Sequence, residues 1–205
     1  MRFLTVAHSL IASPRVYAAL ARALGAESCL KRLVCDHFHI RPGDHVVDAG
    51  CGPGLLFPYL DRVEYVGLDI DARYLAHART RYPAARFEQR DLARAAGWAG
   101  PREADLILAV GLLHHLSDVQ ASGMLRFAYQ RLRPGGRLVT VDPALEPGQS
   151  LIARLLVQAD RGRFVRPGRA YLDLARATFA DAALTIRHDL LRVPYTHAII
   201  GCTKL

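Results

Sequence analysis

The chain has 205 residues, of which 51% are hydrophobic, and it carries a formal net charge of +8 at neutral pH. This length is enough for one domain with a substantial core, and no apolar run approaches the ~20 residues that a membrane-spanning helix needs. The positive charge suggests a nucleic-acid partner, but the arginines that supply it are scattered along the chain. Composition therefore favours a globular protein without a membrane span, and it gives nucleic-acid binding limited support.

Cysteine spacing and the N-terminal residues bear on the cellular compartment. The four cysteines form no Cys-x-x-Cys pair and no metal-ligand spacing, which predicts reduced thiols and no bound metal. Residues 1–13 are apolar like a secretion signal, but they contain His8 and lack a clear small-residue cleavage site. We therefore expect a cytoplasmic protein that is not attached to a membrane. Nothing in the sequence indicates an oligomeric state.

Helix and strand patterns alternate through the first two thirds of the chain. Ser13 and Pro14 are typical of a helix start and predict a helix to about Gly25, which precedes a second helix over residues 27–39. Strands are predicted at residues 45–50, 64–69, 86–88, 104–111 and 137–142, helices at 55–60, 71–81 and 117–132, and a turn at 133–136. Strands that alternate with helices in this way predict a parallel, doubly wound α/β sheet.

The last third of the chain has a different pattern. Helices are predicted near residues 150–160 and 169–179, and two strand-like stretches, 184–193 and 195–205, meet around Pro194. These two stretches predict an antiparallel hairpin at the edge of the sheet. The prediction is therefore one α/β domain, with a Rossmann-like, mostly parallel sheet of seven strands and an antiparallel C-terminal hairpin.

Three glycines follow the first predicted strand. In the stretch VVDAGCGPG, Gly50, Gly52 and Gly54 lie beyond the carboxyl end of that strand, where open α/β sheets bind their ligands. Glycine lets a ligand approach the backbone closely, although a tight turn between strand and helix explains the same residues. Asp48 precedes them, where it can orient the loop or contact a cationic group through water.

Two further acids lie where a nucleoside would bind. Asp69 ends the second strand, and a carboxylate there can accept hydrogen bonds from both hydroxyls of a ribose, as it also does in NAD-binding proteins. Asp91 follows the third strand and can accept from an adenine amine, unless it is a helix cap or a solvated loop acid. NAD is disfavoured because the glycine spacing is not G-x-G-x-x-G and because NAD gives Asp91 no role.

Five segments together resemble a known family: VVDAGCGPG, YVGLDID, FEQRDL, ADLILAVGLLHHLSD and LRPGGRLVTVDP. Their order and spacing over residues 42–143 resemble those of class I S-adenosylmethionine-dependent methyltransferases, in particular small bacterial members with an LHHL motif. The resemblance implies S-adenosylmethionine as cofactor and S-adenosylhomocysteine as product. It also implies a helical cover over residues 1–41, a cofactor-binding core over 42–143, and substrate-wall helices with the edge hairpin over 144–205.

The resemblance also assigns residues to parts of the cofactor. The three glycines would line its methionine moiety, with Asp48 before them. Asp69 and Ile70 would contact the ribose side, Asp91 and Leu92 would flank the adenine, and Val110, at the end of the fourth strand, would lie near the sulfonium.

Several branches of the family are disfavoured because the chain lacks the residues that they use. GLLHH stands where the Asn/Asp-Pro-Pro-Tyr motif of exocyclic-amine methyltransferases is expected, at the end of the fourth strand. The chain contains no Asn, which disfavours the catechol type that binds magnesium partly through Asn. Its only lysines are Lys31 and Lys204, so the Lys-Asp-Lys-Glu set of ribose enzymes cannot be built. No cysteine follows a proline, as the cytosine-C5 enzymes require. A small-molecule acceptor is therefore favoured over nucleic acid, although other RNA branches stay open.

A pair of histidines and an aspartate lie where a proton-transfer residue is expected. His114 and His115 follow the fourth strand, and an imidazole there could deprotonate a hydroxyl. Of the two we assign the catalytic role to His114 and a substrate contact to His115; the alternative is that they hydrogen-bond the loop and cap the next helix. Asp142 ends the fifth strand and is a second candidate base, unless it only forms the turn before Pro143.

An arginine-rich stretch, ADRGRFVRPGRAY, is the candidate substrate wall. Arginines recognise carboxylates and phosphates by forked hydrogen bonds, so Arg161 or Arg166, with Tyr171 beside them, is predicted to bind an anionic group. The alternative is a solvated loop with salt bridges. Tyr17 on the N-terminal helix and Tyr195 at the last strand are further candidates for substrate contact or for packing.

The leading hypothesis is transfer of a methyl group to O, N or C of a small metabolite that carries an anionic group. A base-modifying RNA methyltransferase is one alternative, and it would need the arginines to form one continuous patch. The other is a protein that binds S-adenosylmethionine without transferring the methyl group and serves a regulatory role.

Overall fold

A computed structural model describes residues 25–94, 103–160 and 162–205. The predicted helix that starts at Ser13, together with Tyr17 and Arg161, lies outside these residues. The strands are β1 (His45–Ala49), β2 (Glu64–Asp69), β3 (Arg86–Gln89), β4 (Ala104–Val110), β5 (Leu132–Pro143), β6 (Asp181–Arg187) and β7 (His197–Thr203). The helices are α1 (Ala26–Leu33), α2 (Ala72–Arg81), α3 (Asp118–Arg131), α4 (Leu151–Gln158) and α5 (Gly168–Arg176).

The seven strands form one sheet in the order β3-β2-β1-β4-β5-β7-β6. The β1–β2, β1–β4, β2–β3 and β4–β5 pairs are parallel. Strand β7 runs antiparallel to both of its neighbours, β5 and β6. The predicted fold, a mostly parallel seven-stranded sheet with an antiparallel C-terminal hairpin, is confirmed.

Helix starts follow the predicted capping residues. The Asp71 side chain accepts from the Arg73 backbone N–H at the start of α2. Ser117 and Gln120 form a reciprocal capping box at the start of α3. Such caps satisfy backbone donors that have no partner inside the helix, which is why the sequence marks these boundaries well.

Three predicted elements differ from the structure. The strand predicted over residues 184–193 forms earlier in the chain, as β6 over Asp181–Arg187. The predicted helix over residues 55–60 is only a 3-10 turn, Phe57–Tyr59, because Pro58 cannot donate a backbone hydrogen bond within a longer helix. The RPGG residues do not precede β5 but lie within it, where the β4–β5 register jumps between Ala104 and Leu106. The turn therefore forms as an irregularity inside a longer strand.

Two apolar clusters cover the two faces of the sheet. One includes residues of α3 and α5, such as Met124 and Tyr171, and the other includes residues of α1 and α2, such as Leu33 and Leu75. Because both faces are covered, a ligand reaches a parallel sheet of this kind at the carboxyl ends of its strands. No helix in the described ranges is long and apolar enough to span a bilayer.

Candidate active site

The glycine loop after β1 turns back through positive φ angles. Gly50, Gly52 and Gly54 have φ of 76°, 51° and 76°, which L-residues other than glycine rarely adopt. A side-chain carbon built at Gly52 meets no protein atom within 4 Å. This open space beside exposed backbone fits a ligand that approaches the loop, as S-adenosylmethionine would.

The other two glycines are constrained by the protein itself. A side-chain carbon at Gly50 would lie 2.9 Å from Leu112 Cδ1, and one at Gly54 would lie 3.2 Å from the rings of Tyr82 and Phe87. Packing against these side chains explains the absence of a side chain at both positions. Of the three glycines predicted to line the methionine moiety, only Gly52 has open space where a side chain would lie.

Asp69 connects the end of β2 to the glycine loop. Its Oδ2 accepts from the Gly52 N–H at 2.8 Å, and its Oδ1 accepts from the Asp71 N–H at 2.8 Å. Burial raises the pKa of this carboxyl above its usual range, and the two backbone hydrogen bonds partly offset the effect. Each carboxylate oxygen can accept more than one hydrogen bond, so the group can still accept from a ribose while it fixes the loop.

Asp48 lies inside the sheet rather than at its surface. It is 2% exposed, and the Tyr65 hydroxyl donates to its Oδ2 at 2.8 Å. Burial raises the pKa of Asp48 to about 7, although the Tyr65 hydrogen bond opposes the shift. Through Tyr65, Asp48 links β1 to β2 beneath the loop, which agrees with an orienting role.

The remaining residues predicted at the cofactor follow the strand ends. Ile70 is 63% exposed directly after β2, while Leu92 is buried. Asp91 Oδ1 accepts from the Ala93 N–H at 3.0 Å and the Asp91 side chain is 40% exposed, so it forms a local turn and still reaches solvent. Val110 ends β4, where the Gly111 N–H donates to the Val141 carbonyl. These positions suit the predicted adenine, ribose and sulfonium contacts, which remain predictions.

His114 lies in a 3-10 turn between β4 and α3 and contacts two carboxylates. Its Nδ1 is 2.8 Å from Asp142 Oδ1, and its Nε2 is 3.2 Å from Asp160 Oδ1. Its backbone N–H also donates to Asp142 Oδ1. The side chain is only 6% exposed. The structure thus brings the two predicted catalytic residues, His114 and Asp142, into direct contact.

The two carboxylates determine the charge of the His114 ring. Burial lowers its pKa, but the hydrogen bonds and charges of Asp142 and Asp160 outweigh burial and raise the pKa of His114 to about 9. The Asp160 carboxyl has its pKa lowered in return, mainly by His114, against the effect of burial. A ring that keeps its proton at neutral pH donates hydrogen bonds rather than accepting a proton. This geometry disfavours the general-base role predicted for His114.

Arg166 donates to the turn that contains His114. Its five guanidinium N–H groups donate to the Asp118 carboxylate and to the carbonyls of Leu113, Leu116 and Phe164. The residue is 8% exposed. Because these donors already have partners, the structure favours a loop-fixing role over the predicted contact with a substrate anion.

The tyrosines of the predicted substrate wall differ in position. Tyr171 is 1% exposed, donates to the Pro143 carbonyl and accepts from the Arg166 N–H, which favours packing over substrate contact. The Tyr195 hydroxyl donates to Asp160 Oδ2 at 3.0 Å, so Tyr195 belongs to the His114 cluster. The exposed His115 packs against the His114 ring, with centroids 4.0 Å apart.

Sequence analysis missed Asp160 as a site residue, and for His197, close to Tyr195 in the sequence, it left open whether the residue lines the pocket or packs at the edge strand. Asp160 precedes Gly162 by two positions, and its Oδ1 accepts from the Gly162 N–H at 2.9 Å; this turn pattern of Asp and Gly is a signal that could have found it. His197, at the start of β7, is 8% exposed and packs against Tyr195. Burial lowers the pKa of His197 to about 4, so its ring is neutral. No sequence signal distinguishes it.

The fit between Gly162 and His114 gives a stability prediction. A side-chain carbon at Gly162 would overlap the His114 ring and its carbonyl oxygen. We expect Gly162→Ala to lower the free energy of unfolding by about 1–3 kcal/mol, as overpacking does, in urea denaturation. Gly201→Ala is the matched control, because a side-chain carbon there meets nothing within 4 Å. Equal stability of the two variants would show that residues 162–166 do not lie on His114.

Comparison with known proteins bears on the family and fold of the chain. Residues 46–136 match a family model described as a methyltransferase domain. A trans-aconitate 2-methyltransferase from Variovorax paradoxus is 36% identical over 170 residues, which cover 75% of this chain and 63% of that protein. The chain thus spans less than two thirds of that curated relative.

Solved structures share the fold. A TehB-like SAM-dependent methyltransferase from Corynebacterium glutamicum aligns with a TM-score of 0.64 and 22% identity over 94% of this chain and 98% of that one. The pyocyanin biosynthetic protein PhzM aligns with a TM-score of 0.72 and 17% identity over 93% of this chain and 58% of that one. The family model thus shows a methyltransferase domain over residues 46–136, and the solved structures show that the chain has the fold of class I S-adenosylmethionine-dependent methyltransferases.

Proposed function

We propose that the protein transfers the methyl group of S-adenosylmethionine to a carboxylate oxygen of a small organic acid. The observation that carries the proposal is the position of His114, whose Nδ1 lies 2.8 Å from Asp142 and whose Nε2 lies 3.2 Å from Asp160, so that both ring nitrogens already face a carboxylate. A hydroxyl or carbon acceptor must lose a proton during transfer and so benefits from a general base. A carboxylate is already ionised at neutral pH and needs none.

Residues of the chain then bind and orient rather than exchange protons. The cofactor supplies an electrophilic methyl group on a sulfonium. Asp69 fixes the Gly52 backbone, and the open space at Gly52 admits the cofactor against it. The His114–Asp160 pair fixes the wall on the acceptor side. Alignment of nucleophile and methyl group can account for much of such a rate enhancement.

Charge and relatives support an anionic acceptor. The net charge of +8 attracts anions to the protein. Arg166 has other partners, but Arg163 is exposed, and it is proposed to contact the acceptor together with Arg161, two positions earlier in the sequence. The Variovorax paradoxus relative is named a trans-aconitate 2-methyltransferase, which places a small carboxylic acid among the acceptors to be tested first.

An acceptor panel tests the proposal. The purified protein is incubated with labelled S-adenosylmethionine and with trans-aconitate, other di- and tricarboxylic acids, their amides as matched controls, a catechol and bulk tRNA. We expect label in the acids alone, released as methanol by mild base because the product is an ester. Transfer to the amides, the catechol or tRNA while the acids stay unlabelled would refute the carboxylate proposal. Binding of the cofactor without transfer to any acceptor would favour the non-catalytic alternative.

A further inference from the structure

Three separate segments of the chain meet at the Asp160 carboxylate, just after α4. His114 contacts its Oδ1 from the turn after β4, at 3.2 Å. Tyr195 donates to its Oδ2 from the loop before β7, at 3.0 Å. The Gly162 N–H donates to Oδ1 from within the same segment. Asp160 therefore connects the LHHL turn to the loop that precedes the last strand.

Residues 162–166 also lie directly on the LHHL turn. The Phe164 N–H donates to the His114 carbonyl at 2.9 Å. Arg166 donates to the carbonyls of Leu113 and Leu116 at 3.0 and 2.7 Å. These contacts hold the backbone of the segment in place, whereas Asp160 is the group that contacts the side chains of His114 and Tyr195.

Charged and titratable groups surround His114 on several sides. Asp142 contacts Nδ1 from β5 at 2.8 Å, and Asp160 contacts Nε2 from the segment after α4. His115 packs against the ring from the same turn. His197 lies nearby at the start of β7 and packs against Tyr195. Without the Asp160 charge, the buried His114 ring would keep only one anionic partner.

We propose that Asp160 is a positioning residue for methyl transfer, which fixes the side chains of His114 and Tyr195 and thereby the acceptor-side wall of the site. The inference rests on the proposed function, because it concerns the acceptor side of the same site. Asp160 does not contact the glycine loop or Asp69 among the described residues. Its removal therefore affects the acceptor and leaves cofactor binding in place.

The test compares Asp160→Asn with Asp173→Asn. The first variant keeps the size and acceptor oxygen of the side chain but removes its charge. The second removes an exposed carboxylate on α5 whose ionic partner is Arg169. For Asp160→Asn we expect the acceptor KM to rise about tenfold, the magnitude of losing one charge-assisted hydrogen bond, with the S-adenosylmethionine Kd within about twofold. The His114 resonances in an NMR pH titration should show a lower pKa than in the parent chain. Asp173→Asn should change none of these.

The possible failures are distinguishable. Absence of methyl transfer by the parent chain would refute the proposed function, and an unchanged His114 titration in Asp160→Asn would then refute the contact as well. Normal transfer by the parent chain with an unchanged acceptor KM in Asp160→Asn would overturn the positioning role alone. If Asp160→Asn does not fold, Asp160→Glu replaces it, because it keeps the charge and changes only the reach. A raised acceptor KM in that variant supports the proposal, and a parental KM refutes it.

Discussion

Asp69→Ala should weaken the binding of S-adenosylmethionine at least tenfold. Hydrogen bonds to a charged group contribute about 1.5–3 kcal/mol each, and a tenfold change in Kd corresponds to about 1.4 kcal/mol. The variant loses the carboxylate assigned to the ribose and also the acceptor of the Gly52 N–H. Both losses act on the cofactor, since Gly52 borders the open space where it would bind. Isothermal titration with S-adenosylmethionine measures the effect.

The control for this prediction is Asp71→Ala. Asp71 caps α2 two residues away by accepting from the Arg73 N–H, so its loss lowers helix stability by about 0.5–2 kcal/mol. It should not change the cofactor Kd by more than about twofold. Unaltered binding in Asp69→Ala would contradict the assignment of the ribose to the end of β2. Equal weakening in both variants would trace the effect to the β2–α2 connection instead.

The positions of the residues assigned to the cofactor could be predicted because apolar runs in the sequence indicate the strands. The run over residues 64–69 matches β2 to the residue, and its last position, Asp69, follows from where that run stops. Capping residues give the same kind of local signal at Asp71 and Ser117. Each of these depends on neighbours within a few residues, which the sequence displays directly.

The contacts around His114 and Arg166 could not be predicted in this way. Arg166 donates to the carbonyls of Leu113 and Leu116, which lie about fifty positions earlier in the chain. No local sequence pattern distinguishes an arginine with such contacts from an arginine that binds an anion. His114 is a similar case, because the sequence places it after β4 but does not show that Asp160 lies on its other side. A neutral His114 that acts as a base and a protonated His114 that donates hydrogen bonds would look the same in the sequence. Only the long-range partners of the ring distinguish the two. The β5 irregularity at RPGG depends likewise on the pairing with β4.

The His114 pair also predicts how stability depends on pH. The pKa of His114 is about 9 in the folded protein, against an ordinary value of 6.5. Below pH 6.5 both folded and unfolded chains hold the proton, so the contribution of the ion pairs is complete. Between pH 6.5 and 9 the unfolded chain loses the proton first, and the contribution falls away. A difference of this size corresponds to about 3 kcal/mol of unfolding free energy.

Urea denaturation at pH 6.5, 7.5 and 8.5 measures this loss. The pKa of His197 is lowered to about 4, which affects stability below pH 6.5, and the raised pKa values of the buried cysteines act above pH 9. Asp48, with a pKa raised to about 7, also lowers stability as pH rises through 7, and it does so equally in every variant.

We expect the unfolding free energy of the parent chain to fall as pH rises to 8.5, and that of His114→Gln to fall less and to level off above pH 7.5. His77→Gln, on α2, is the matched control and should follow the parent. A parallel decline in His114→Gln would show that the ring is not protonated between Asp142 and Asp160, and the carboxylate acceptor would lose its main support.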